Sequence, residues 1–372
     1  MHTDRLRQLA TEKGPFISVY LDDSHNTEEA GRGLELRWRA LREQLESANA
    51  PTVALDEVET AVLDGAPPVG ESGRAVVADS EQILLDEHLI RPPVSPVARW
   101  SSLPYVIPLV EHGRESVRHI VAIVDHRGAD LRIINGDSVT HSETIEGEGY
   151  PVHKASGAET PGYGDPQPHT EEQARKNIRE VARRLVELVD AEHPEVVFVV
   201  GEHQSVGDLS AELPKRVTEI AVDLGIGARG ASIDEAVIRA AIAEEMLRRR
   251  NSALAEAAER FRAEQGRDSG LGVEGLTSVC GALRNGEVDT LLVGDLGDAT
   301  VVVGDDLMAM APTPENLSEL GASPADVLRA DEALPLIALR TDSDLVRLDE
   351  RLAPKDGVAA LLRYAPRRGS GA

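Results

Sequence analysis

From Ser232 the sequence keeps a helical pattern almost unbroken to about residue 265, with Ser232 and Glu235 forming a capping box at its start. At 1.5 Å per residue that is roughly 50 Å of helix, long enough to connect two domains. A chain of 372 residues built around such a rod is expected to form more than one body. Three are expected, at 1–115, 116–250 and 251–372, each mixing helices and strands, so the fold class is mixed α/β.

The first segment opens with "GPFISVYLDD", a strand-like run bounded by turn residues, followed by a charged helix near 28–48 and a second in "LDEVETAVLD". "GRAVVAD" and "EQILLDEHL" read as paired strands. The Pro-rich "IRPPVSPVARWSSLPYVIP" makes poor helix or central strand and marks a boundary near 110–117.

In "RHIVAIVDHRGADLRIING" two strands flank "DHRG", whose turn chemistry predicts a hairpin, and "DSVTHSETIEG" extends it to a meander. A loop over 148–170 follows, rich in Pro and Gly, and loops of that length are usually functional or disordered. Thr170 with Gln173 predicts a helix start, and Ala174, Ile178, Val181, Leu185 and Leu188 give that helix one apolar face. "PEVVFVVGE" reads as a buried strand. The last segment is expected to be a small α/β sandwich: a helix over 273–285, strands in "VDTLLVGD" and "ATVVVGD", a helix, a strand in "LPLIALR", and the ending "DGVAALLRYA".

A net charge of −26 argues against non-specific coating of nucleic acid, which needs a broad positive surface. It leaves room for local basic contacts, and nearly all the cations are Arg, able to fork onto phosphate. No run of about 18 apolar residues exists and "MHTDRLRQLA" lacks a signal-peptide core, so a cytoplasmic location without membrane contact is expected. The single cysteine, Cys280, shares a helical face with Val273, Leu276, Val279 and Leu283, and reads as a small buried residue. "GLGVEG" matches the dinucleotide pattern, but a polar helix end precedes it where a strand is required. "DDSHN" holds the letters of a catalytic triad, yet adjacent residues rarely face one another, and it reads as a loop. The histidines lack metal-ligand spacing, so neither metal nor cofactor is expected.

One stretch invites a positive reading. Arg175, Arg179 and Arg183 recur every four residues behind the long loop, flanked by Lys176 and Arg184 and away from the apolar face. Such a stripe suits a phosphate backbone. It equally suits a solvated helix face on which Glu171, Glu172 and Glu180 pair with the bases.

The order of these elements, with "KGPFISVYLDDSH", "GYPVHK", "HPEVVFV", "RADEALP", "GVEGLTSVCGALRNGEVDTLLVGD" and "DGVAALLRYA", resembles the class I release factor and Pelota family over essentially the whole chain. Within it, the chain resembles the actinobacterial branch grouped with Balon-type ribosome hibernation factors. The resemblance implies a three-domain architecture: a first domain toward the decoding centre, a middle one toward the peptidyl transferase centre, and a ribosomal-protein-L7Ae-like last one, with a long helix linking the last two. It implies binding to 16S and 23S rRNA at the ribosomal A site, with elongation factor Tu as a further partner, and no role with DNA. Release factors carry Gly-Gly-Gln at the tip of the middle loop, whereas "GYGDPQP" puts Asp165 and Pro166 before Gln167. The Asn-Ile-Lys-Ser sequence for stop codons is also missing. A non-enzymatic hibernation factor is therefore expected, with a peptidyl-tRNA hydrolase or rescue factor as the alternative. On this resemblance Tyr150, His153, Lys154, Tyr163, Gln167 and His169 of the loop region, and Arg175, Lys176, Arg179 and Arg183 of the helix, are the expected contacts with the rRNA or tRNA site. Tyr150, Tyr163 and His169 are suited to stacking on bases.

Overall fold

The structure, a computed structural model, describes residues 4–25, 30–65, 68, 71–113, 117–136, 138–146, 167–227, 234–267, 269–348 and 352–365, with the side chains of 4, 5, 30 and 167–171 outside that description. They form two compact units, Met1–Arg114 together with Arg250–Ala372, and Glu115–Arg249. The sequence reading separates the two ends of the chain; here they make one unit.

The first segment contains α1 (Asp4–Leu9), β1 (Phe16–Asp22), α2 (Ala30–Ser47), α3 (Thr52–Leu63), β2 (Gly73–Ala78), β3 (Ile83–Leu89), β4 (Val97–Ser101) and α4 (Ile107–His112). The four strands form an antiparallel sheet in the order β3-β2-β1-β4. Alternation along β1 serves two cores. Ile17, Val19 and Leu21 face Leu34, Trp38, Leu41 and Leu45 of α2 and Leu55, Val58 and Val62 of α3. Phe16 and Tyr20 point the other way, into a core shared with the end of the chain. The four apolar residues of α2 recur at intervals of four, three and four, which lays that helix on the sheet. Asn49, at φ 64°, closes it.

The middle unit contains β5 (His119–Asp125), β6 (Gly128–Asn135), β7 (Ser138–Glu146), α5 (Gln167–Glu192), β8 (Val196–Gly201), α6 (His203–Glu212), α7 (Lys215–Thr218), β9 (Ala221–Asp223) and the first half of α8 (Glu235–Gly266). Its sheet runs β7-β6-β5-β8-β9, an antiparallel meander joined to two parallel strands. Ile120, Ala122, Val124, Val197 and Val199 face the apolar sides of α5 and α6, while Val121, Phe198 and Val200 face Ile238, Ile242 and Met246 of α8. Helices on both faces explain the unbroken apolar run of β8.

Two helix starts differ from expectation. α5 begins at Gln167, so the last residues of the presumed loop 148–170 are helical. Pro168 suits a first turn, where its missing N–H has no intrahelical partner to lose. Gln173 Nε2 donates to Asn177 Oδ1 at 3.1 Å, one turn further along the helix. Ser232 lies outside the described residues, and Asp234 Oδ1 accepts from the backbone N–H of Ala236 at 2.9 Å where α8 begins.

The last segment contains β10 (Gly272–Glu274), α9 (Leu276–Arg284), β11 (Val288–Val293), β12 (Thr300–Val303), β13 (Met310–Ala311), α10 (Pro314–Glu319), β14 (Asp326–Arg329), α11 (Ala330–Arg340), β15 (Asp344–Arg347) and β16 (Val358–Leu362). One sheet runs β10-β16-β11-β15 and a second β13-β12-β14. The helix expected over 273–285 gives its first residues to β10 and starts after Gly275, whose φ of 84° turns the chain.

"LPLIALR" is helical and not a strand. It forms the second half of α11, every residue of which from Ala330 to Leu339 is buried. A helix enclosed on all sides shows no polar stripe, so its short apolar run cannot be distinguished from a buried strand by periodicity. Leu334, Leu336 and Ile337 belong to the same core as Phe16, Tyr20, Val106 and Ile107. Polar contacts tie the same segments. Arg99 Nη2 lies 2.9 Å from Asp331 Oδ2, its Nη1 2.9 Å from Glu332 Oε1, and its guanidinium 3.6 Å from the centre of the Tyr105 ring. Arg250 is buried and donates to the Gly113 carbonyl at 2.8 Å and to that of Val110.

Candidate nucleic-acid interface

The helix that carries the basic stripe has a core face of Ile178, Val181, Ala182, Leu185, Leu188 and Val189, which directs the arginines outward. Most of them meet carboxylates. Arg179 Nε lies 3.3 Å from Glu212 Oε1 of α6. Arg183 sits between Glu180, at 2.5 Å, and Glu187. Arg184 forks onto Glu143 of β7, with Nε and Nη2 at 2.7 and 2.8 Å from its two oxygens, and also reaches Glu187 at 3.1 Å. The Arg184 fork holds the Glu143 carboxyl below its usual range, and Arg183 does the same to Glu180. Arg175 and Lys176 are exposed, and the Arg175 guanidinium makes no ion pair or hydrogen bond among the described residues.

The remaining expected contacts are distributed as follows. Tyr150, His153, Lys154 and Tyr163 lie outside the described residues. Gln167 and His169, expected on the loop, are in the first turn of α5, with side chains outside the description. About three turns into α5, buried Asn177 donates from its Nδ2 to the His126 carbonyl at 3.3 Å. That contact sets α5 against the β5–β6 turn, which sequence reasoning treated only as a hairpin.

The other motifs resolve into structural roles. Asp23 of "DDSHN" is 1% exposed, with His88 Nδ1 at 3.2 Å, His25 Nδ1 at 3.6 Å and Arg74 Nη1 at 3.7 Å from its carboxylate oxygens. Burial pushes its carboxyl up, against the pull of Arg74 and the two imidazoles. The Ser24 hydroxyl donates to the Ser72 carbonyl at 3.2 Å, and His25 Nδ1 lies 3.0 Å from the Asp23 carbonyl, so hydroxyl, imidazole and carboxylate do not line up as a triad. No group of three or more His, Cys, Asp or Glu with metal-binding geometry occurs among the described residues. In "GLGVEG" the strand β10 lies inside the motif and pairs antiparallel with β16. The N–H of Leu276 at the start of α9 donates to Asp356 Oδ2 at 3.1 Å, so a carboxylate already occupies the place of a phosphate. Cys280 is buried, and burial pushes its thiol up to about 12.

No helix among the described residues is long and apolar enough to cross a membrane. Residues 118–267 match the model of bacterial archaeo-eukaryotic release factor family 2. Over 365 residues the chain is 48% identical to an uncharacterised protein of Mycobacterium tuberculosis, Rv2629 in strain H37Rv and MT2704 in strain CDC 1551, covering 98% of this chain and 97% of that one. Among solved structures, an archaeal Pelota in a ribosome-bound model with ABCE1 aligns over 97% of this chain and 94% of its own, at 16% identity and a TM-score of 0.40. Archaeoglobus fulgidus Pelota aligns over 97% and 90%, at 13% identity and a TM-score of 0.37. The archaeal termination factor aRF1 aligns over 97% of each chain, at 16% identity and a TM-score of 0.24.

Proposed function

We propose a function from one premise: the chain belongs to the bacterial archaeo-eukaryotic release factor family. It binds the vacant A site of the ribosome, contacting 16S and 23S rRNA, and blocks that site during hibernation without hydrolysing peptidyl-tRNA. Elongation factor Tu is a partner in delivery or retention. The observation that carries this reading is the position of Gln167. Hydrolytic members of the family hold their Gln behind two glycines on a loop tip, where the backbone is free to position water. Here Gln167 follows Asp165 and Pro166 and is the first residue of α5, which supports a factor that occupies the site and leaves the ester intact.

The test is co-sedimentation of the full chain with vacant ribosomes over a salt series, run beside a peptide-release assay on ribosomes carrying peptidyl-tRNA. Binding that weakens with salt, competes with A-site tRNA and releases no peptide is expected. Peptide release would replace this reading with the hydrolase or rescue factor. Absence of binding at low salt would remove the ribosome altogether.

A further inference from the structure

In a chain of net charge −26, a polyanion settles only where cationic groups are not already matched by carboxylates. On α5 that condition fails at Arg179, Arg183 and Arg184, each within 3.3 Å of a Glu oxygen. It holds at Arg175. The β5–β6 turn supplies a second such group, Arg127, which is exposed and whose guanidinium makes no ion pair or hydrogen bond among the described residues.

Arg127 stands on a stiff support. Asp125 Oδ1 accepts from the backbone N–H of Arg127 at 2.7 Å and of Gly128 at 2.9 Å. Gly128 packs so tightly that a Cβ there would lie 1.9 Å from the Ile145 carbonyl oxygen. The Asn177 bond to His126 at 3.3 Å fixes the turn against α5, two residues beyond Arg175. The two guanidinium groups stand as two separate points on either side of this contact, because residues two apart on a helix do not share a face and Arg175 projects away from the surface by which Asn177 meets the turn. None of the exposed large apolar side chains of the described residues lies in this turn or on α5. A protein partner would want an apolar centre, whereas a phosphodiester backbone wants charge alone.

We infer that Arg127 in the β5–β6 turn, together with Arg175, forms a contact site for RNA backbone phosphates, and that the Arg179–Arg183–Arg184 stripe does not. This inference rests on the ribosome-binding reading and locates its electrostatic contact. Guanidinium at two points gives affinity without sequence preference, as expected for a site that reads backbone.

The test compares full-length wild type with Arg127→Ala/Arg175→Ala, Arg127→Lys/Arg175→Lys and Arg183→Ala/Arg184→Ala in ribosome co-sedimentation across salt. Thermal unfolding confirms that each variant folds. Losing two phosphate contacts should make the slope of log affinity against log salt shallower by about 1.5, from roughly 0.7–0.9 per contact. The lysine variant should retain the wild-type slope, and so should the stripe variant. If wild type binds and the alanine pair at 127 and 175 keeps its slope, or the stripe variant flattens equally, the inference is wrong while ribosome binding stands. Weakened binding with an unchanged slope would indicate a protein contact and overturn the phosphate assignment. If wild type does not bind ribosomes, a short single-stranded RNA at low salt becomes the probe. Binding lost only in the 127 and 175 alanine variant would preserve the RNA site without the A-site reading, and no binding would remove both.

Discussion

Asp23 illustrates how far a single residue departs from its letters. "DDSHN" holds the letters of a catalytic triad and reads as a loop, and in the structure the Asp23 side chain is enclosed and faces Arg74, His25 and His88. Those partners, on β2, β3 and the loop after β1, are distant in sequence except for His25, so only the fold reveals the cluster. Burial outweighs them and raises the carboxyl, with a definite consequence for stability. An acid whose folded pKa is raised binds its proton more tightly in the folded chain, so its favourable contribution is complete below the unfolded value of about 4 and is lost as pH rises through the folded value. Asp23→Asn, which removes the ionisation, should therefore match wild type at low pH and exceed it in stability at neutral pH. Urea unfolding at several pH values measures this, and a variant less stable than wild type at neutral pH would contradict it. Arg74 keeps its fork onto Asp86 at 2.8 Å in that variant, which limits collateral loss.

Among the elements enclosed on every side, the short strands β1 and β8 were legible as strands and the helix α11 was not. The apolar stripe of α5 announces itself because burial on one side and water on the other impose a period, and the hairpin at "DHRG" does so through its turn residues. α11 has no wet side until Arg340, and its apolar run passed for a strand. Its enclosure also makes it sensitive: Ile337→Ala, at a fully buried position, should cost about 2–5 kcal/mol in urea unfolding. A loss under 1 kcal/mol would mean that α11 is not packed as described. The basic stripe was legible in a different and partial sense. Spacing shows that Arg183 can meet Glu180 and Glu187 on its own helix. It cannot show that Arg184 meets Glu143, 41 residues away, or that Arg179 meets Glu212, 33 residues away. Those pairs decide which arginines remain available, and so the candidate site shifted toward the turn.

At the scale of the whole molecule, the sequence does not reveal how its segments group. A sheet face made by Phe16 and Tyr20 looks the same in sequence whether helices of its own segment or residues from the far end cover it. In the structure Phe16 and Tyr20 belong to one core with residues of α4, α9 and α11, the last two from the far end of the chain. Fragments should therefore behave unequally. Residues 115–249, with a sheet and helices of their own, should unfold cooperatively when expressed alone. Residues 1–114 should not, until 250–372 is supplied in the same cell; far-UV circular dichroism and thermal melts of each fragment check this, and a cooperative melt for 1–114 alone would refute it. The union of the two chain ends also has a timetable. At roughly 5–20 residues per second, the segment that closes the first sheet is synthesised tens of seconds after that sheet. For that interval the nascent protein carries an open apolar face, which makes it a customer for chaperones at the ribosome and ties its yield to the pace of translation.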